Sequence, residues 1–175
     1  RLFCFRAHTM SEKLQIMITH RLSLKIVVST LTLLLVPFTL HANDLSGSIT
    51  TDTVIEAGET TVTGNVTVEP AVTLTIEPGA TLAFDGSFSL TVKGDLQVEG
   101  TASDPVTFTS NVEEPAAGDW GQIRFHEDAF PASALDHVVV RYASTGIKAE
   151  GSNSTTLEVS NITIQDVSET GISVS

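Results

Sequence analysis

The sequence has almost no cysteine. Its single thiol, Cys4, lies ahead of Met10, and the rest of the 175-residue chain has none. The residues after position 4 therefore form no disulfide bond with one another and no zinc site with thiolate ligands. Attachment of a lipid to a cysteine behind a signal sequence is excluded for the same reason.

Basic residues are also scarce. The chain has 9 Lys and Arg against 21 Asp and Glu, a net charge of −12 at pH 7. Residues 1–42 carry five Lys or Arg and one acidic residue, so the chain after Ala42 has a net charge of −16. Such an acidic body repels phosphate backbones and anionic lipid head groups. We therefore expect no nucleic-acid partner and no polybasic attachment to membranes.

The sequence also lacks the composition of helices. Aromatic residues make up 6% of the chain, and both methionines precede residue 18. Thr and Val are abundant after residue 42, and both favour strands because their branched side chains pack well on a pleated sheet. The composition predicts an all-β protein.

The first 42 residues have the pattern of an export signal. Arg21 and Lys25 precede an apolar run over residues 26–40, and Ala42 offers a small residue for cleavage. The run has about 15 residues, fewer than the roughly 20 that cross a bilayer, so a retained membrane anchor is the weaker alternative. We expect residues 1–42 to contain upstream residues and a cleavable signal peptide. The body is then secreted or displayed at the cell surface, with no transmembrane anchor of its own.

Short strands follow one another closely from residue 72. In each of them an apolar residue occupies every second position, the period at which side chains alternate between the faces of a strand. Residues that favour turns separate the strands, for example Glu77-Pro78-Gly79. The strands with this pattern are residues 72–76, 81–84, 89–92, 96–98 and 106–108.

The strands also repeat. Apolar positions in residues 135–140 coincide with those in 159–164 at an offset of 24. Gly146-Ile147 coincides with Gly171-Ile172 at an offset of 25. A repeat of this length with two or three short strands is one coil of a β-solenoid, in which each strand pairs with its counterpart one coil later. An antiparallel sandwich is the alternative, although it usually has longer strands and hairpin turns.

An earlier pair, Ile76 and Val98, lies 22 residues apart, and residues 111–119 then interrupt the phase. We therefore predict a β-solenoid with coils of about 22–25 residues. Its core is expected to contain the apolar residues that recur at this period: Val72, Leu74, Ile76, Leu82, Phe84, Val138, Val140, Ile162 and Ile164.

The sequence resembles a known family as well. Residues 72–84 read VTLTIEPGATLAF, residues 90–101 follow L-x-V-x-G-x-L-x-V-x-G-T, and residues 118–125 read GDWGQIRF. These segments resemble the opening coils of bacterial secreted right-handed parallel β-helix repeat proteins, which have the pectin-lyase-like architecture. The resemblance implies a right-handed parallel β-helix domain over residues 43–175. Because residue 175 falls inside a coil, we expect truncation at the carboxyl end and an open strand edge that associates with another strand.

Two residues are candidate ligand contacts. Trp120 lies in the least regular stretch, where an exposed indole ring would stack on a sugar. Arg141 points outward because it alternates with apolar neighbours. The acidic residues near Trp120 suggest a weak calcium site, but their spacing matches no calcium-binding loop, and a solvated acidic loop is the better interpretation. These residues are Asp119, Glu127 and Asp128, with Glu113 and Glu114.

We predict no catalytic residue, no metal site and no cofactor. A hydrolase of this architecture needs stacked carboxylates, and a lyase needs a metal-binding acidic cluster with a base facing it. The residues one coil after the candidate catalytic ones are neutral: Ser160 follows Asp136, Asn161 follows His137, and Gln165 follows Arg141. The pattern thus indicates that no two acids stack.

Two functions fit these observations. The first is an exported, non-catalytic scaffold for cell-surface adhesion or carbohydrate binding, with glycans or cell-surface polymers as partners. Because the body is acidic, a neutral or cationic glycan is the expected ligand. The second is the amino-terminal part of a polysaccharide lyase or glycoside hydrolase whose active coils lie beyond Ser175. The resemblance implies the fold and does not choose between them.

Overall fold

The computed structural model describes residues 43–127, 129, 133–151 and 157–175. Every regular element in these ranges is a β-strand, which confirms the predicted all-β class. No helix in the described part of the chain is long and apolar enough to cross a membrane. The predicted signal peptide lies outside the described residues.

In chain order the strands are β1 (Asn43–Ile49), β2 (Thr53–Ile55), β3 (Gly58–Val68), β4 (Thr73–Ile76), β5 (Ala80–Phe84), β6 (Leu90–Val92), β7 (Asp95–Glu99), β8 (Val106–Ser110), β9 (Ile123–Phe125), β10 (Ala134–Arg141), β11 (Thr145–Ala149), β12 (Glu158–Gln165) and β13 (Thr170–Val174).

The strands pair in parallel and form three stacks that the chain visits in turn. Stack one contains β2, β4 and β7, then the amino-terminal halves of β10 and β12. Stack two contains the amino-terminal halves of β1 and β3, then β5, β8 and the carboxyl-terminal halves of β10 and β12. Stack three contains the carboxyl-terminal halves of β1 and β3, then β6, β9, β11 and β13.

One visit to all three stacks makes one coil, and about five coils form a parallel β-solenoid. We call the outward surfaces of the three stacks face one, face two and face three. The strand register confirms the predicted repeat, because Leu135 pairs with Val159 and Ile147 pairs with Ile172. Each pair joins residues that the sequence placed one coil apart.

Two long connections interrupt the repeat in the third coil. Residues 111–122 join β8 to β9, where the sequence predicted an interruption at 111–119. Residues 126–133 join β9 to β10 and form a second interruption that the sequence analysis missed. Gln97 therefore pairs with Ala134, 37 positions later, where an uninterrupted coil would need about two thirds of that number.

The core is the column of inward side chains inside the coils. Of the nine predicted core residues, Ile162 and Ile164 in the last described coil are half-buried against the cluster. The other seven are buried: Val72, Leu74, Ile76, Leu82, Phe84, Val138 and Val140. Full burial of a large aliphatic side chain contributes about 1.5–3 kcal/mol, so stacking from coil to coil is the main source of stability.

A left-handed residue forms the corner between stacks one and two in the later coils. His137 in β10 has φ 47°, and Asn161 in the same position of β12 has φ 51°. Both residue types tolerate this conformation better than most, so one residue turns the chain without breaking the strand. The corner packs tightly, since a Cβ placed on Gly100 would lie 2.3 Å from the carbonyl oxygen of His137. Only glycine fits at position 100.

Candidate functional site

Three charged side chains meet on face three, and we call them the face-three triad: Arg124, Lys148 and Glu150. Arg124 donates from Nε (2.8 Å) and Nη2 (2.5 Å) to Oε2 of Glu150. Lys148 Nζ lies 2.7 Å from the other carboxylate oxygen, Oε1. Each of the three side chains is between 20% and 35% exposed, so solvent and ligands reach the triad.

The strand period places the triad on one face. Ile123 and Phe125 in β9 point into the core, so Arg124 between them points outward. Lys148 pairs with Arg124 in the next coil, and the two cations are stacked on neighbouring strands. Glu150 follows β11 on the same side, and its backbone N–H donates to the carbonyl oxygen of Phe125 (2.9 Å). One carboxylate thus neutralises part of the charge of two stacked cations.

The two cations change the acidity of Glu150. Hydrogen bonds from Arg124, and next from Lys148, lower the pKa of Glu150 to about 2. The carboxylate therefore stays ionised at neutral and mildly acidic pH. It accepts hydrogen bonds but cannot act as a general acid in that range.

Both long connections border face three. Residues 111–122 precede β9 and residues 126–133 follow it, so Arg124 lies on the strand between the two connections. The first connection is held in place by Asp119, whose Oδ2 accepts from Ser110 Oγ (2.7 Å) and from the backbone N–H of Ala116 (2.9 Å). Insertions in solenoids map to loops on one face, often the binding face. This makes face three the best candidate surface for a ligand.

Trp120 has a different role from the one that the sequence predicted. Its side chain is completely buried, and its ring stacks on Phe84 with centroids 4.1 Å apart and planes 7° apart. The indole Nε1 donates to the carbonyl oxygen of Arg141 (2.7 Å). The ring offers no free surface to a sugar, so we correct the prediction that Trp120 contacts a ligand. Trp120 fills a space in the core. Ser110 pairs with Phe84 one coil later, and its small side chain leaves this space beside the Phe84 ring.

Arg141 is exposed at the end of β10, as its outward position predicted. It pairs with Gln165, the residue that the sequence placed one coil later. With the side-chain oxygen of Gln165 facing it, the guanidinium donates from Nε (2.5 Å) and Nη2 (2.9 Å). No described carboxylate pairs with Arg141, so its charge is not compensated locally. Its role as a ligand contact stays a prediction.

Asp136 lies at the corner of face one and has several donors around a single oxygen. Oδ1 accepts from Ser160 Oγ (2.6 Å) and Asn161 Nδ2 (2.9 Å), and His137 Nδ1 lies 3.0 Å away. The hydrogen bond from Ser160, followed by that from Asn161, lowers the pKa of Asp136 to about 2. The Asn161 amide therefore bonds the carboxylate of a residue in the preceding coil.

One prediction about the carboxylates is wrong. The sequence analysis concluded that no two acids stack, yet Glu99 of β7 pairs directly with Asp136 of β10. The 37-residue interval between them includes both long connections, so the regular repeat did not bring them together. Glycoside hydrolysis also requires a carboxyl group with a raised pKa as the acid, whereas the pKa of Asp136 is lowered.

The suggested calcium ligands do not form a cluster in the described residues. Asp119 is used to hold its own connection, and Glu113 and Glu114 are exposed there. No three His, Cys, Asp or Glu side chains in the described ranges come together as a metal site does. Asp128 lies outside those ranges, so a calcium site that includes it stays untested.

The triad should make the stability of the fold depend on acidity. Because the pKa of Glu150 is lower in the folded chain than the ordinary 4.5, its ion pairs stabilise the fold above pH 4.5. This contribution should fade as the pH falls from about 4.5 and be largely lost near pH 2. We expect the Glu150→Gln variant to have a lower melting temperature than the wild type at pH 7. Near pH 2 the two proteins should have the same melting temperature. Glu113→Gln, in an exposed loop, is the control and should match the wild type at both pH values.

Comparison with known proteins agrees with this geometry. A family model for a pectate-lyase-like β-helix domain matches residues 47–137, just over half of the chain. No curated protein matches the sequence, and no solved structure matches it. Parallel strands with crossovers of this kind wind in a right-handed sense. The chain therefore belongs to the pectate-lyase-like β-helix family, and it is a right-handed parallel β-helix repeat protein.

Proposed function

We propose that this protein is an exported, non-catalytic scaffold that binds carbohydrate at the cell surface. The observation that carries the proposal is the face-three triad, in which Arg124 lies on the strand between residues 111–122 and 126–133 and bonds Glu150 after β11. Fold alone does not assign a function, because function lies in sites built on a fold.

The triad offers both kinds of hydrogen-bonding group that sugar hydroxyls need. Arg124 and Lys148 keep N–H groups beyond those that bond Glu150, and these donate to hydroxyl oxygens. The Glu150 carboxylate, held by two cations, has lone pairs that accept from hydroxyl groups. Ion pairing fixes the three side chains before a ligand arrives, which reduces the entropy lost on binding.

The described titratable groups favour binding over cleavage. The two carboxyl groups with clear pKa shifts, Asp136 and Glu150, are both shifted downward to about 2. Neither can deliver a proton to a leaving group near neutral pH. Arg124 is bonded to Glu150, and a guanidinium offers N–H donors and no acceptor, so it binds oxygen atoms and does not abstract protons.

A second candidate function follows from face one. Glu99 and Asp136 stack on neighbouring strands there, and paired carboxylates are the groups that glycoside hydrolases use. In this alternative, the protein is a lyase or hydrolase, and the described coils contribute Glu99 and Asp136 to its reactive surface. Glycan cleavage that requires both Glu99 and Asp136 would favour this alternative over the scaffold.

Export is the part of the proposal that depends on residues 1–42. The apolar run and the basic residues before it support removal of this segment after Ala42. Amino-terminal sequencing of protein recovered outside the cell should give Asn43 or a residue within a few positions of it. A sequence that begins at Met10 or Met17 would show that the segment is retained.

Glycan binding should depend on face three. We expect calorimetry with neutral, uronate and amino-sugar polymers to give a dissociation constant no better than micromolar, about −8 kcal/mol, and no new reducing ends. Arg124→Gln should weaken binding at least tenfold, because hydrogen bonds to a charged donor contribute about 1.5–3 kcal/mol.

Arg141→Gln removes the same charge from face two and is the matched control. Unchanged binding by this variant would confirm that the contact is specific to face three. If Arg141→Gln abolished binding while Arg124→Gln did not, the ligand would lie at the predicted Arg141 contact and the face-three site would be wrong. Turnover that survives purification would contradict the non-catalytic scaffold.

A further inference from the structure

Face two is almost free of charge, although the body of the chain carries −16. Its outward positions lie on five neighbouring strand segments, from β3 to β12. Of these five segments, the first and the second-to-last each carry one charged residue, and the β1 segment next to β3 adds the exposed acid Asp44, which pairs with Thr61. In chain order the outward residues are Glu59 and Thr61, Thr81 and Ala83, Thr107 and Thr109, Val139 and Arg141, and Thr163 and Gln165.

Glu59 and Arg141 on face two have opposite charges and lie three coils apart. Glu59 is exposed at the start of β3, and no described residue bonds its carboxylate. Arg141 is exposed at the end of β10, and its side-chain partner is the neutral amide of Gln165. Two exposed, uncompensated charges thus frame a strip of small hydroxyl and methyl groups.

We propose that face two binds a second copy of this chain, packed face to face with its solenoid axis reversed. Reversal places the β3 segment of each copy over the β10 segment of the other. Glu59 of each copy then meets Arg141 of the partner copy, and the symmetry of the contact forms this ion pair twice. The length of the arginine side chain spans the two-residue offset between the two positions along the strand.

The side chains between the two charges suit this packing. In the reversed arrangement, Thr81 of one copy faces Thr107 of the other, while Ala83 is only 3% exposed and adds little contact area. These side chains are small, so the two sheets can approach to the roughly 10 Å at which sheets pack face to face. The strip is about 20 Å long at the usual strand spacing. The area that it can bury is therefore well below the roughly 800 Å² per partner of a standard interface. The dimer should therefore be weak and reversible.

Charge complementarity identifies the partner as a second copy. Face one carries the stacked acids Glu99 and Asp136, and two such faces would repel each other. Face two carries two acids and one cation, and two of these charges, Glu59 and Arg141, are placed to pair under a two-fold rotation. This inference is independent of the glycan proposal and gives Arg141 a protein partner.

Sedimentation equilibrium on the purified protein at fixed salt tests the proposal. We expect the apparent mass of the wild type to rise with concentration toward that of a dimer. Glu59→Arg and Arg141→Glu should each weaken association at least tenfold, because each creates two like-charged contacts. Glu59→Arg also reduces the net negative charge, so general repulsion between chains would predict the opposite effect for that variant.

The double variant Glu59→Arg with Arg141→Glu distinguishes pairing from misfolding. It keeps the wild-type net charge and re-forms both pairs with exchanged signs, so dimerisation should return. The Arg124→Gln variant should dimerise like the wild type, even if it binds glycan more weakly. A wild type that stays monomeric, single variants that associate normally, or a double variant that fails to recover would each overturn the proposal.

Discussion

The parallel pairing of each strand with its counterpart one coil later is the interaction on which the rest of the structure depends. Three of the strands, β2, β6 and β9, have only three residues and are too short to be stable alone. Stacking satisfies their backbone groups and places apolar side chains above one another. The same register decides which residues point outward, and so it determines the charge of each face.

Much of this arrangement follows from the sequence where the connections have equal lengths. The offset of 24 that relates β10 to β12 predicts that Val140 lies over Ile164, and the register confirms it. The same offset separates Arg124 from Lys148, so the stacked cations were also present in the sequence pattern. They were missed because no motif in the sequence assigns a ligand to Arg124 or Lys148.

Other features depend on tertiary packing that the repeat does not encode. Glu99 and Asp136 stack because two long connections happen to return the chain to stack one in register. Trp120 lies among polar loop residues in the sequence, which favoured exposure. Its burial depends on the space beside Phe84, where the next coil supplies only Ser110. The alternation of apolar residues predicts which positions point inward. It does not predict where a small side chain leaves space in the core for a residue from a connection.

The three faces differ in charge although they share one backbone. Face one carries stacked acids, face two is nearly neutral, and face three holds two cations around Glu150. A regular scaffold can therefore present a separate surface to each partner. This division of surfaces suits a binding protein better than an enzyme, which must bring its reactive groups together at one point.

The central claim is that strand alternation in the coils separates core from surface, and adjacent valines in β10 test it directly. Val140 is completely buried, whereas Val139 is half-exposed on face two. The measurement is the free energy of unfolding in denaturant for Val140→Asp and Val139→Asp. Val140→Asp should lose several kcal/mol, because it buries an unpaired carboxylate, and Val139→Asp about 1 kcal/mol or less. Equal losses, or a larger loss at Val139, would contradict the register and with it the solenoid.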